Sequence, residues 1–382
     1  MGGLLSAERV PIRLAYGRIL RESIQADRPF PAYDRVTMDG IAVRWNPHVR
    51  SWKRSGTQFA GDPASSLPCA ESCIEVMTGT PLPSGADTVI PIEDLDFSGD
   101  QISLKNDVSV ESGQFLHRQG SDASEGEPIA APPQFLDSRF ISLCATVGKT
   151  ELLVSRMPKI ALLMPGNELV DPGEFPQPHQ VRRSNDQLIR GELAKCAIPI
   201  FKEAFIGDDP AAITQHLMDW SQDCDLILTS GGISKGKADY LPRCIRVAGF
   251  EVIFHGIMQK PGGPGLLARS ATGCNLLAIP GNPVSTLVFA RVYLREWLAR
   301  RYGHPQNCFT LPWAEEPPCP GDKARWLPCK LESDPQHGCR LRAVAASHSA
   351  DMLAVLPSDG LALLPSSGEA CCGATRFYPW TS

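Results

Sequence analysis

The sequence predicts a multidomain α/β-plus-β protein. A mostly parallel sheet covered on both faces is expected over residues 156–304, with a β-rich segment at 38–127 and an all-β tail at 305–382. Two observations carry this reading. Between 156 and 304, short apolar runs alternate with stretches of helical spacing, the pattern of parallel strands joined by crossover helices. Elsewhere the apolar pieces are short and broken by Gly, Pro, Ser and Asp, which suits strands and turns.

In chain order, 11–26 is expected as one helix with Leu14, Ile19 and Leu20 inward. The apolar run 159–164 stops at Pro165-Gly166-Asn167-Glu168. Ser184-Asn185-Asp186-Gln187 reads as a capping box opening a helix through Leu188, Leu193 and Cys196. A strand at 198–206 precedes Asp209-Pro210, which starts a helix with Ile213, Leu217 and Trp220 inside. The buried strand 225–229 leads into Ser230-Gly231-Gly232-Ile233-Ser234-Lys235-Gly236. A helix with Leu241 and Ile245 follows and stops at Gly249, and 252–257 and 276–279 complete the strands. The next helix starts at Pro280-Gly281-Asn282-Pro283, where Asn282 suits the cap and Pro283 the first turn. Its Leu287, Val288, Leu294, Trp297 and Leu298 fall on one side. In the tail, strand-like pieces recur at 326–331, 340–345 and 360–364.

Composition excludes several function classes. A net charge of −5 gives no electrostatic footprint for duplex nucleic acid, and no apolar run is long enough to cross a bilayer. The first eleven residues lack a basic segment followed by an apolar one, so no secretory leader is expected. The 13 Cys are odd in number and never at C-x-x-C spacing; Cys69 and Cys73 come nearest, and Cys371 and Cys372 are adjacent. The expectation is reduced thiols in the cytoplasm rather than a zinc site.

Chemistry is expected at the strand ends, because ligands of such sheets sit beyond the carboxyl ends of the strands. A helix that starts there leaves backbone N–H groups free for a phosphate or an oxyanion. Gly231 and Gly232 let the backbone approach a bulky anion, Ser234 offers a hydroxyl, and Lys235 or Lys237 a charge. Asp239 either binds Mg²⁺ beside phosphates or only stabilises a helix terminus. Lys260, ahead of Pro261-Gly262-Gly263-Pro264, is an anion contact or a solvated lysine, and Glu168 projects from another strand end. Asp39, in Met38-Asp39-Gly40, and Asp122, beside Gly120-Ser121, read from spacing alone as turn residues.

Together these segments resemble the molybdopterin molybdotransferase family (molybdenum insertases, gephyrin E-domain-like). Thr37-Met38-Asp39-Gly40 is similar to its S-A-M-D-G-Y-A. Thr78-Gly79-Thr80-Pro81-Leu82-Pro83-Ser84-Gly85-Ala86-Asp87 resembles T-G-A-x-x-P-x-G-A-D, and His117 to Asp122 resembles R-x-x-G-E-D. Gly166 to Leu169 resembles G-D-E-L, Ser184-Asn185 the S-N after it, and Ser230 to Asp239 S-G-G-V-S-x-G-x-x-D. Lys260-Pro261-Gly262 looks like the start of K-P-G-K-P, and Pro280 to Ser285 like P-G-N-P-V-S. The departures are Val36-Thr37 for the expected Ser, Ser121 for Glu, Lys237 for an acidic residue, Gly263 for the second Lys, and Pro328 near an expected Arg.

The resemblance implies four domains: 1–37 with 128–155 as a segmented helical region, 38–127 rich in β structure, 156–304 as the molybdopterin-binding α/β domain, and 305–382 as a β-barrel. It also implies an elongated homodimer that takes adenylylated molybdopterin and molybdate, with Mg²⁺, to molybdenum cofactor and AMP. Glu168 and Asp239 would place the metal, and Lys260 would attract molybdate. Gly231, Gly232, Ser234, Pro280, Gly281, Asn282, Pro283 and Ser347 would hold the nucleotide-bearing substrate. Asp39, Thr78 and Asp122 would face them from the other subunit. Other cofactor-biosynthesis proteins and acceptor molybdoenzymes are expected partners; nucleic acid and membrane are not. A molybdopterin adenylyltransferase and a diverged molybdopterin-binding carrier or scaffold are the alternative readings.

Overall fold

The computed structural model describes residues 3–233, 240–317, 321–334, 338–345, 348, 350–367 and 373–381. The chain forms two compact units. One comprises Glu22–Pro132 with Ser138–Glu151; the other comprises the residues up to Arg21, Pro133–Asp137, and those from Leu152 onward.

The smaller unit is built on a six-stranded sheet ordered Thr88–Pro91, Gly40–Val43, Ser72–Val76, Ser51–Gln58, Gln101–Leu104 and Leu95–Ser98. Successive side chains of a strand point to opposite faces, and along Gly40–Val43 and Thr88–Pro91 both faces are covered. Ile41 and Val43 pack with Trp52, Ile90 and Ile102 on one side, while Ala42 packs with Val36, Ile74 and Val89 on the other. Along Gln101–Leu104, a slip of one residue would turn buried Ile102 and Leu104 to the open face, so burial fixes the register. A short ribbon pairs Leu116–His117 with Arg35–Val36.

The larger unit holds a six-stranded mixed sheet ordered Ile200–Ile206, Ile160–Pro165, Leu226–Ser230, Asn275–Ile279, Leu266–Ser270 and Phe250–His255. The first three pairings are parallel, as the crossover helices require. The last two are antiparallel. The strand Leu266–Ser270 has no counterpart in the expectations above. It returns to Asn275 through a tight turn with Gly273 at φ +91°, and no helix separates it from either neighbour.

Alternation again assigns the faces. Leu162, Leu228 and Leu277 pack beneath Ile189, Leu193, Leu294 and Trp297, from the helices at Asn185–Ala194 and beyond Pro283. Leu163, Ile227 and Ala278 pack beneath Ile213, Leu217, Leu241 and Ile245, from Pro210–Trp220 and Leu241–Val247. Asp209 caps its helix by accepting from the Ala211 N–H at 2.9 Å, whereas Ser184 makes no side-chain capping bond. The helix from Pro283 runs through a π-helical stretch, Phe289–Leu294, into Arg295–Arg301.

The expected helix at 11–26 does not form. The strand Ala7–Pro11 leads to a 3-10 turn at Ile12–Leu14, and Ile19–Leu20 and Ile24–Gln25 are strands. Gly17, at φ +75°, breaks the segment. Ile19 and Leu20 are buried as expected, but Leu14 is 60% exposed. In the regions 1–37 and 128–155, which the resemblance made helical, the α-helix among the described residues is Ser138–Thr146.

Beyond Arg295–Arg301, Ala324–Asp334, Gly360–Leu364, Ala374–Pro379, Phe309–Pro312 and Gly338–Ala343 make a further sheet. Its edge is completed by Gln259–Lys260, which pairs in parallel with Ala324 and Arg325. The segment that leaves the mixed sheet at His255 therefore joins this further sheet at Lys260.

The strand assignment at the start of the chain predicts unequal losses in urea unfolding. Leu14→Ala should change stability by no more than about 0.5 kcal/mol, while Ile19→Ala should remove about 2–5 kcal/mol. Equal losses would restore a helix with both side chains inward.

Candidate functional site

The strand Phe250–His255 is antiparallel to a strand that is itself antiparallel to Asn275–Ile279. It therefore runs with the parallel strands, and the segments after Pro165, Ser230, His255 and Ile279 leave the sheet at one edge. A cavity of about 700 Å³ lies there. It is lined by Glu168, by Gly231-Gly232, by the loop from Gln259 to Pro264, and by Pro280-Gly281-Asn282. Glu168, Gly231, Gly232, Lys260, Pro280, Gly281 and Asn282 are thus brought together as the sequence suggests. Pro283 sits one residue behind the wall, at the first helical position. Ser234, Asp239 and Ser347, like Lys235 and Lys237, lie outside the described residues.

The turns approach each other because they lack side chains. Gly231 and Gly232 adopt φ +98° and +64°, a region that other residues enter only with strain. Gly231 donates its N–H to Ile279 O at 2.9 Å, and a Cβ on Gly281 would rest 3.5 Å from Gly231 Cα. Asn282 occupies the helix N-cap position, but its side chain makes no capping bond; its carbonyl accepts from the Thr286 N–H at 2.9 Å.

Two further side chains position the walls. Asn185 donates Nδ2 to Gly281 O at 2.7 Å and to Ser230 Oγ at 2.9 Å, joining one helix start to both turns. The helices bearing Asn185 and Asn282 are joined again in the core, where Glu192 and Arg291 form a buried ion pair at 3.3 Å. On the opposite wall Gln259 Oε1 accepts from Tyr293 Oη at 2.5 Å and Trp326 Nε1 at 3.0 Å. Burial, reinforced by Tyr378, pushes the Tyr293 phenol up to about 12, so it remains a donor. Sequence reading took Asn185 as part of a capping box and gave Gln259 no role, because their partners lie far away in the chain. Glu168, Lys260 and Lys323 are the charged residues among the described cavity lining, and none of them makes an ion pair with a described residue.

The smaller unit holds the other expected residues. Thr78 donates its N–H and its hydroxyl to Asp39 Oδ1 at 2.6 and 2.7 Å. Those two bonds, the hydroxyl first, hold the Asp39 carboxyl below its usual range against a smaller opposing effect of burial. The glycine after Asp39 is obligatory, since a Cβ on Gly40 would lie 1.9 Å from Ile90 O. Asp122 is engaged by His117 Nε2 at 2.7 Å, and His117 Nδ1 by Arg35 at 3.0 Å. An arginine only donates, so Nδ1 accepts and the ring proton sits on Nε2, directed at Asp122. Asp34 accepts from Arg118 at 2.7 Å and from the Gln119 N–H at 2.8 Å. Burial raises the Asp34 carboxyl, and these bonds more than offset it, leaving it lowered. Strand pairing and these bonds gather residues 33–40, 77–81 and 115–122.

The Asp39 geometry makes two predictions. Thr78→Val removes the hydroxyl bond and should move the Asp39 titration upward, as read by carboxyl carbon NMR. A folded-state value below the unfolded one stabilises the fold above the unfolded value and is lost as pH falls through the folded one. The acid limb of stability should therefore shift to higher pH in that variant. Gly40→Ala should lower unfolding stability by about 1–3 kcal/mol or more, through overpacking against a backbone oxygen.

Residues 3–148 match the family model of the MoeA N-terminal region (domain I and II), and residues 161–300 match that of a probable molybdopterin binding domain. Among curated relatives, the molybdopterin molybdenumtransferase of Synechocystis sp. is 35% identical over 352 residues, 91% of this chain and 87% of that protein. That of Synechococcus elongatus is 34% identical, over 81% of this chain and 79% of the relative. A crystal structure of the molybdopterin biosynthesis moeA protein from Pyrococcus horikoshii superposes with a TM-score of 0.80. It does so at 21% identity, over all of this chain and 96% of that one, a likeness of fold. With the model of the N-terminal region followed in order by that of the molybdopterin binding domain, and 35% identity to a relative across 91% of this chain, the chain belongs to the molybdopterin molybdenumtransferase family.

Proposed function

We propose that this chain takes adenylylated molybdopterin and molybdate to molybdenum cofactor and AMP, with Mg²⁺. The observation that supports it is the 700 Å³ cavity, where two side-chain-free turns, a helix start and Lys260 converge at one sheet edge inside the segment matched by the molybdopterin binding domain. Gly231, Gly232, Pro280, Gly281 and Asn282 let a phosphate approach main chain at a helix start, with Pro283 setting the first turn. Release of AMP leaves charge on a departing phosphate, and Lys260 would offset it. Ser234 and Ser347 are proposed to add hydroxyl contacts to the same substrate.

The donor set suits Mg²⁺. That ion takes one or two carboxylates and completes its shell with phosphate oxygens and water, and Glu168 offers at the cavity a carboxylate that makes no ion pair with a described residue. Asp239 is the proposed second carboxylate. Bound there, the ion would neutralise phosphate charge. Asp39, held ionised by Thr78, and Asp122, oriented by His117, act as acceptors rather than acids. The proposed assembly is a homodimer in which the Asp39 cluster of one copy serves the cleft of the other. Free thiols at all described cysteines support a cytoplasmic setting. The four-domain division and a C-terminal barrel are proposed on the family resemblance.

Incubation with adenylylated molybdopterin, molybdate and Mg²⁺ should release AMP, and chelation of Mg²⁺ should stop it. Lys260→Ala and Asp39→Ala should each lose at least about tenfold in rate, and mixing the two variants should restore activity through one intact site per dimer. Molybdate-independent background alone, with the fold intact, would refute the reading. ATP-dependent AMP transfer to molybdopterin would instead identify an adenylyltransferase.

A further inference from the structure

The loop after His255 carries one cation, Lys260, and then Pro261-Gly262-Gly263, which offers no charge where the K-P-G-K-P pattern places a second lysine. The cavity nevertheless has a second ammonium, that of Lys323, which directly precedes the strand Ala324–Asp334 of the C-terminal sheet. Its position is fixed by pairing. Gln259 and Lys260 lie in register with Ala324 and Arg325, and Ala324 donates its N–H to Met258 O at 3.1 Å. The buried bond from Trp326 Nε1 to Gln259 Oε1, at 3.0 Å, anchors the same strand two residues on. Lys323, immediately before Ala324, is held at the cavity wall. It is exposed and makes no hydrogen bond or ion pair with a described residue.

Charge decides what this does. With Glu168 and Lys260 alone the described lining is neutral; with Lys323 it is +1, which favours a multiply charged anion. We propose that Lys323 is a second anion-binding residue of the cleft, replacing from the C-terminal sheet the cation that the loop lacks at 263. Its ligand class is a tetrahedral oxyanion or a phosphate ester. The inference rests on the anion-cleft reading above and assigns the charge that completes it.

The test is calorimetric titration of the full chain with molybdate and, separately, with AMP. Lys323→Gln should weaken binding of at least one of them roughly threefold to tenfold, with an unchanged melting temperature. Lys323→Arg should retain binding. Gly263→Lys in the Lys323→Gln background should recover it, because Gly263 is not in the left-handed region and an added Cβ would meet Gln259 O at 3.2 Å, a contact a small shift relieves. Lys330→Gln, an exposed charge on the same sheet, is the control. Undiminished binding of both anions by Lys323→Gln, or an equal loss in the control, overturns the assignment while leaving the cleft. If the unaltered chain binds neither anion, the cleft reading itself fails.

Discussion

The site depends on the parallel pairing of Leu226–Ser230 with Asn275–Ile279. Ser230 stands beside Ile279, so the chain leaves both strands at the same level and the same edge. Were the pair antiparallel, Gly231 and Gly281 would sit at opposite ends of the sheet and line no common cavity. Parallel pairing is in turn enforced by burial, since both faces of these strands are covered by helices that their crossovers must supply. The hydrophobic core and the cavity follow from one topological choice.

The helices do more than cover the sheet. Asn185 and Asn282 stand at the starts of two helices on the same face, and their lower turns are tied by Glu192 and Arg291. A buried ion pair is weak evidence for stability, but it fixes how two elements seat. Here it holds the helix that carries Asn185 at the distance from which that amide reaches both turns.

Much of this was legible in the sequence because local patterns and burial agree. The strand ends, the glycine turns and the helix starts were each readable from apolar runs and turn residues. The helix expected at 11–26 failed because Gly17 interrupts the segment and because Leu14, Ile19 and Leu20 also suit short strands. Leu266–Ser270 escaped notice because a short apolar run between glycine-rich loops has no period of its own. Asn185, Gln259, Lys323 and the Arg35–His117–Asp122 chain were invisible as a set. Each owes its place to a partner tens of residues away, and polar residues leave no periodic trace. Ser234, Asp239 and Ser347, named from the resemblance, lie outside the described residues.

The contact between Gly231 and Gly281 has a mechanical meaning. Where two walls meet through side chains, the gap between them changes with every rotamer. Here they meet main chain to main chain, and the spacing follows from covalent geometry and from the roughly 4.8 Å interval between neighbouring strands. This part of the cleft is a fixed gauge. What can adjust around it are the long, flexible side chains of Lys260 and Lys323, which line the same cavity beside a rigid floor.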